Sequence, residues 1–226
     1  MSKTTRRTIL RNIALTLTTG GVLDTAMAQH VHEAAAASKA KGGTYQPKAF
    51  QAHPYKTVRR LAELIVPKDE RSGSALDAGA PEFIDLLCSQ NKELANIYHG
   101  GLAWLDAEMR RRHGKAFVEL SEAEQTGMLD LLVAAERTER ARRAEESVYE
   151  RSSVYRDFAG YSTHARNELA PGVVFFDWIR KMTVDAYYTS PVGIKDIEFK
   201  GNGAYSKYDV PAAALQYALK RSPFGA

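Results

Sequence analysis

The side chains of this 226-residue chain that could carry chemistry are six histidines, at 30, 32, 53, 99, 113 and 164, one cysteine, Cys88, and numerous Asp and Glu residues. Imidazoles and carboxylates hold a metal when three or four converge with the right spacing. Here the histidines are scattered, and His30 and His32 have no third ligand type beside them, so both read as solvated side chains. No His-Glu-x-x-His, Gly-x-Ser-x-Gly or phosphate-binding loop occurs, which removes the motif-based routes to hydrolysis and phosphoryl transfer. Acidic pairs are dense between Glu136 and Arg151, but at helical spacing alongside arginines they describe a solvated helix face and not an acid/base dyad. Catalytic and metal-ligating residues are therefore expected to be absent.

A single cysteine allows neither an intramolecular disulfide nor a cysteine metal cage. Set in Phe83-Ile84-Asp85-Leu86-Leu87-Cys88, it reads as a small core residue. No Gly-x-Gly-x-x-Gly follows a strand pattern, so the chain lacks the dinucleotide fingerprint. No Cys-x-x-Cys-His occurs, so it lacks the attachment site for a c-type haem. No cofactor is expected in this chain.

The N-terminus carries a different kind of chemistry, that of targeting. Arg6 and Arg7, followed by Ile9 and Leu10, stand before an apolar run from Ile13 to Leu23, which ends at Ala26-Met27-Ala28. Basic, apolar and small-residue segments in that order form an export signal, with cleavage expected between Ala28 and Gln29. The paired arginines match the twin-arginine pattern, whose translocase carries folded proteins. Threonines and a glycine pair dilute the run, which is too short for a permanent membrane span. Residues 1–28 hold +3 of the net charge of +4, leaving a nearly neutral remainder and no basic face for nucleic acid.

Residues 29–50 are rich in Ala, Lys and Gly without sustained periodicity and are expected to form a flexible linker. Residues 51–226 are then expected to fold as one domain. Its elements are helical. Val58, Leu61, Ala62, Leu64 and Ile65 recur at helical spacing until Pro67, and Pro81 suits the first turn of a helix through Phe83, Ile84 and Leu87. Leu94, Ile97, Tyr98, Leu102, Leu105 and Met109 form the stripe of a helix that ends in Arg110, Arg111 and Arg112 before Gly114. Ser121-Glu122-Ala123-Glu124 has the form of a capping box opening the next helix. Val173 begins a strongly apolar helix running towards Tyr188, and the rest is expected to be irregular until a short helix near Ala212 to Leu219. The fold class is mainly α: a compact, bundle-like helical domain with a long irregular C-terminal segment.

Large aromatics concentrate in one stretch. Phe175, Phe176, Trp178, Tyr187 and Tyr188, with Thr189, Ser190, Pro191 and Gly193, form the candidate partner interface, because such side chains dominate interface cores. Aromatics at helical spacing equally fill a domain's own core, with Phe176 and Ile179 inside and Tyr187 to Pro191 outward as one division.

Three stretches together resemble the gluconate 2-dehydrogenase subunit 3 family. The first is Leu61-Ala62-Glu63-Leu64-Ile65-Val66-Pro67 with Ala78-Gly79-Ala80-Pro81-Glu82-Phe83-Ile84-Asp85. The second is Gly101 to Glu108 through His113-Gly114-Lys115, then Phe117 and Leu120 to Gln125. The third is Phe175-Phe176, Tyr187 to Pro191, Gly193 and Gly201-Asn202. The resemblance implies a non-catalytic small subunit of an exported complex. Its partners would be a large FAD-containing subunit of the glucose-methanol-choline type that lacks its own signal and, in many members, a multi-haem cytochrome c. It implies an escort that carries the catalytic subunit through the twin-arginine translocase to the periplasm, where the complex sits peripheral to the inner membrane. The alternative is a stand-alone periplasmic binding or interaction protein with the same fold; direct enzymatic activity would require a bound cofactor.

Overall fold

The computed structural model describes residues 6–18, 25–147, 168–199 and 210–221. Among them the elements are α1 (Arg6–Thr18), α2 (Thr25–Gly42), α3 (Ala52–Ile65), α4 (Ala80–Gln90), α5 (Lys92–His113), a 3-10 turn at Phe117–Glu119, α6 (Glu122–Ser147), α7 (Ala170–Tyr188), α8 (Pro191–Asp196) and α9 (Ala212–Arg221). No strand occurs among the described residues, in line with the mainly α expectation.

Two helices form the centre because their sequences are apolar on more than one side. In α4 every residue from Ala80 to Cys88 is buried, and α1, α2, α3, α5 and α7 all pack against it. A helix that is apolar all round is stable only when surrounded. Each fully buried side chain there, such as Phe83 or Leu87, contributes roughly 1.5–3 kcal/mol. Gly79, at φ 72°, supplies the left-handed turn into α4, and Pro81 occupies its first turn.

Helix α7 is the second centre and touches α3, α4, α5, α6 and α8. Its closest approach is to α5, where a Cβ on Gly101 would lie 2.1 Å from the Phe175 ring. Phe175 is also edge-on to Tyr98, with ring centroids 5.8 Å apart. On the other side, Arg180 reaches both carboxylate oxygens of Glu136 at 2.8 and 2.9 Å and also Asp177 at 3.1 Å, which lashes α7 to α6.

The expected helix ends are present. Gly114 closes α5 at φ 76°, with its N–H bonded to the Arg110 carbonyl. The Ser121 N–H donates to Glu124 at 2.9 Å, and the Glu124 N–H to the Ser121 hydroxyl at 3.4 Å. Helix α6 extends the charged run to Ser147, and its side chains beyond Thr138 lie outside the described residues.

Residues 29–50, expected as a flexible linker, instead contain most of α2 and a segment fastened to the core. Ala28, Val31 and Ala35 are buried at helical spacing, so small side chains let α2 lie close on α4. His32 stacks on Phe83 with centroids 4.9 Å apart, and its Nε2 lies 3.1 Å from the Thr189 hydroxyl. Beyond α2, Tyr45 and the backbone N–H groups of Lys48, Ala49 and Phe50 all donate to Asp85. Within the C-terminal segment expected to be irregular, α8 forms because Ser190 caps it by accepting the Gly193 N–H, with Pro191 in its first turn. Gly201-Asn202 and His164 lie outside the described residues.

Candidate docking surfaces

The aromatic stretch divides between core and surface. Phe175 and Phe176 are buried, and Trp178 is partly buried against the core. Tyr187 is also buried at 1% exposure, its hydroxyl 3.3 Å from Asp196, so it does not face outward. Ser190 is buried by its capping role and donates to the Tyr187 carbonyl at 2.6 Å. Gly193 is pressed against that same carbonyl, which lies 2.2 Å from where a Cβ would stand. Thr189, half-buried, donates to the Asp185 carbonyl at 2.6 Å.

What remains outside is Tyr188, 43% exposed and edge-on to Tyr187, together with Pro191. Ile197 and Phe199, exposed by 53% and 48%, continue the apolar surface past α8. The sequence reading missed these two because they follow a short helix it took as irregular. Their surplus hydrophobicity after Pro191 and Gly193 was the available signal.

A second feature lies between α3 and α5. Gln51, Pro54, His99, Leu102, Ala103, Asp106 and Arg110 line an open cleft of about 630 Å³ together with Ala49. Beside it, His53 Nε2 stands 2.5 Å from Asp106 Oδ2, while Asp106 Oδ1 accepts the Phe117 N–H at 3.0 Å. A carboxylate held in this way orients an imidazole, as in a catalytic triad. The same two contacts tie the start of α3 to α5 and to the turn after it. No group of three or more His, Cys, Asp or Glu able to hold a metal occurs among the described residues.

The third feature is the seat of the N-terminal segment. Leu10, Ile13, Ala14 and Leu17 form one buried stripe of α1, and Ile9 packs partly against the core. The stripe lies on α4, flanked by α2 and α5. Asn91, the residue between α4 and α5, donates its side-chain amide to the Ala14 carbonyl and to the Thr18 hydroxyl, both at 3.1 Å. Its Oδ1 meanwhile accepts the Leu94 N–H as the N-cap of α5. Of the expected cleavage residues, Ala26 and Gln29 are exposed, but Ala28 is fully buried inside α2. The side chains of Arg6 and Arg7 lie outside the described residues. No described helix is long and apolar enough to cross a membrane.

These surfaces sit on a domain that is all-helical among the described residues, with polar clusters that join one helix to another and an exposed apolar corner at Tyr188, Ile197 and Phe199. The chain belongs to the gluconate 2-dehydrogenase subunit 3 family, whose sequence profile matches residues 52–210, from the start of α3 to just before α9. No curated protein and no solved structure gives a significant match. The family is that of a subunit of an oxidoreductase complex, so partners of this chain are to be sought among the components of such a complex.

Proposed function

We propose that this chain is the non-catalytic small subunit of a periplasmic flavin-dependent sugar or alcohol dehydrogenase, and that it escorts a signal-less catalytic subunit through the twin-arginine pathway and stabilises it. The observation that carries the reading is the pairing of two features in one chain: the subunit 3 family domain over 52–210, and Arg6-Arg7 with an apolar segment ahead of it. A pathway for folded cargo suits a subunit that must travel already bound to a flavoprotein. The sequence has no Gly-x-Gly-x-x-Gly and no Cys-x-x-Cys-His, and on that basis the reading assigns FAD to the large subunit and haem c to a cytochrome subunit. The exposed corner of Tyr188, Pro191, Ile197 and Phe199 is the docking face in this reading.

The test is expression with the native neighbouring genes and a tag on Ala226, followed by identification of what co-purifies from the periplasm. A flavin-containing protein without its own signal, lost from the periplasm when Arg6 and Arg7 become Lys, is the expected result. Arrival of this chain alone would overturn the escort reading in favour of a stand-alone periplasmic interaction protein.

A further inference from the structure

Helix α4 can be buried from Ala80 to Cys88 only because neighbouring helices cover every side of it, and in the full chain part of that cover is α1. The cover lies outside the family domain, whereas the seat lies within it: the family match begins at residue 52, and the seat is built from α4, Asn91 and α5. The contact is also specific. Leu10, Ile13, Ala14 and Leu17 follow the i, i+3, i+4, i+7 pattern of a helix laid on an apolar surface, while Leu15 on the other side is 53% exposed. A helix of thirteen residues is marginal alone in water, so this one depends on its seat.

We propose that residues 6–18 are a leader held in cis by its own domain, docked on α4 and latched by Asn91, and that it must lift off, unwinding the first turn of α2, before it can be cut after Ala28. The inference rests on the export reading above. Its second support is the state of the cleavage position. A peptidase must bind its site as accessible, extended chain, yet Ala28 is fully buried within α2. Seat and cleavage position are coupled, because α1 and α2 pack on each other as well as on α4. A chain with the leader seated is withheld from processing, and displacement of α1 makes it competent.

Asn91 allows the latch to be opened without disturbing the domain. Asn91→Asp keeps the oxygen that caps α5 but removes both amide donors and sets a carboxylate against the Ala14 carbonyl. The experiment is hydrogen exchange on the purified full-length chain and its N91D variant, with timed cleavage near Ala28 by a leader peptidase. In the native chain the amides of residues 10–18 are expected to be protected. In N91D they are expected to exchange about tenfold faster, with cleavage accelerated by a similar factor, while the amides of α5 keep their protection.

Free-peptide exchange of residues 10–18 in the native chain would overturn the docking, and equal exchange and cleavage in N91D would overturn the latch. The Arg6→Lys, Arg7→Lys chain separates this proposal from the reading beneath it. If residues 10–18 are protected but the double-lysine chain still reaches the periplasm, the export reading and the gating both fail, and α1 stands as the first helix of the fold.

Discussion

Tyr45 donates its hydroxyl to Oδ2 of Asp85 at 2.7 Å, which joins the segment ahead of the family domain to the most buried helix of the molecule. Asp85 is itself fully buried and also accepts the N–H groups of Lys48, Ala49 and Phe50. Burial and the neighbouring carboxylate push the Tyr45 hydroxyl well above its ordinary pKa, so it remains a donor throughout the accessible pH range. Asp85→Ala leaves these donors without an acceptor. It should cost about 3–5 kcal/mol, read as a lower denaturant midpoint at unchanged slope. A loss under about 1 kcal/mol would mean that the 45–50 segment is not held by this carboxylate.

The approach of α5 to α7 makes a sharper steric prediction. A methyl at position 101 would occupy the space of the Phe175 ring, which is fixed between the two helices and edge-on to Tyr98. Gly101→Ala improves helix propensity, yet it should destabilise by about 3 kcal/mol and lower Tm by roughly 6–12 °C. A neutral or stabilising result would show that α5 and α7 pack less closely.

His32 should make stability depend on pH. Burial holds its pKa below the ordinary 6.5, so the imidazole is neutral in the folded chain near neutral pH. The unfolded chain takes up a proton near pH 6.5, and the folded chain resists it. The stabilisation is therefore complete above about pH 6.5, falls as pH drops below that value, and levels off once the folded-state pKa is passed. His32→Gln should flatten this dependence between pH 7 and 5, measured as the difference in unfolding free energy from the native chain. Parallel curves would remove His32 as its source.

Tyr188 separates interface from core. Because it is exposed, Tyr188→Asp should leave the isolated chain within about 0.5 kcal/mol of native stability. If the proposed flavin subunit docks at this corner, its recovery in co-purification should fall about tenfold, as expected when a central interface aromatic is lost. Undiminished recovery would move the docking face away from the α7–α8 corner.

The helices legible in the sequence were those whose signals are local. Gly114 after a run of arginines and Ser121 with Glu124 satisfy backbone groups within a turn of themselves, and Pro81 suits the first turn of α4 because it has no N–H to leave unpaired there. Helix α2 escaped notice because its buried residues, Ala28, Val31 and Ala35, are too small to stand out among neighbouring alanines. The Asp85 cluster and the Asn91 latch escaped for another reason: their partners lie about 35 to 77 residues away, and most are backbone groups that leave no mark on residue type. In the aromatic stretch residue type does not separate inward from outward members: the adjacent tyrosines Tyr187 and Tyr188 are 1% and 43% exposed, a division set by which face of α7 meets its neighbours.

Cys88 sits in the helix that α1 covers, 3% exposed, with its thiol pushed well above the ordinary range by burial and the neighbouring Asp85. As the only cysteine in the chain, it gives the molecule a built-in stopwatch. A thiol reagent can reach that sulfur only when the packing around α4 opens, so each labelling event counts one opening. The time course in the full-length chain and in the chain cut after Ala28 would read how firmly the molecule stays closed, with no residue changed to report it.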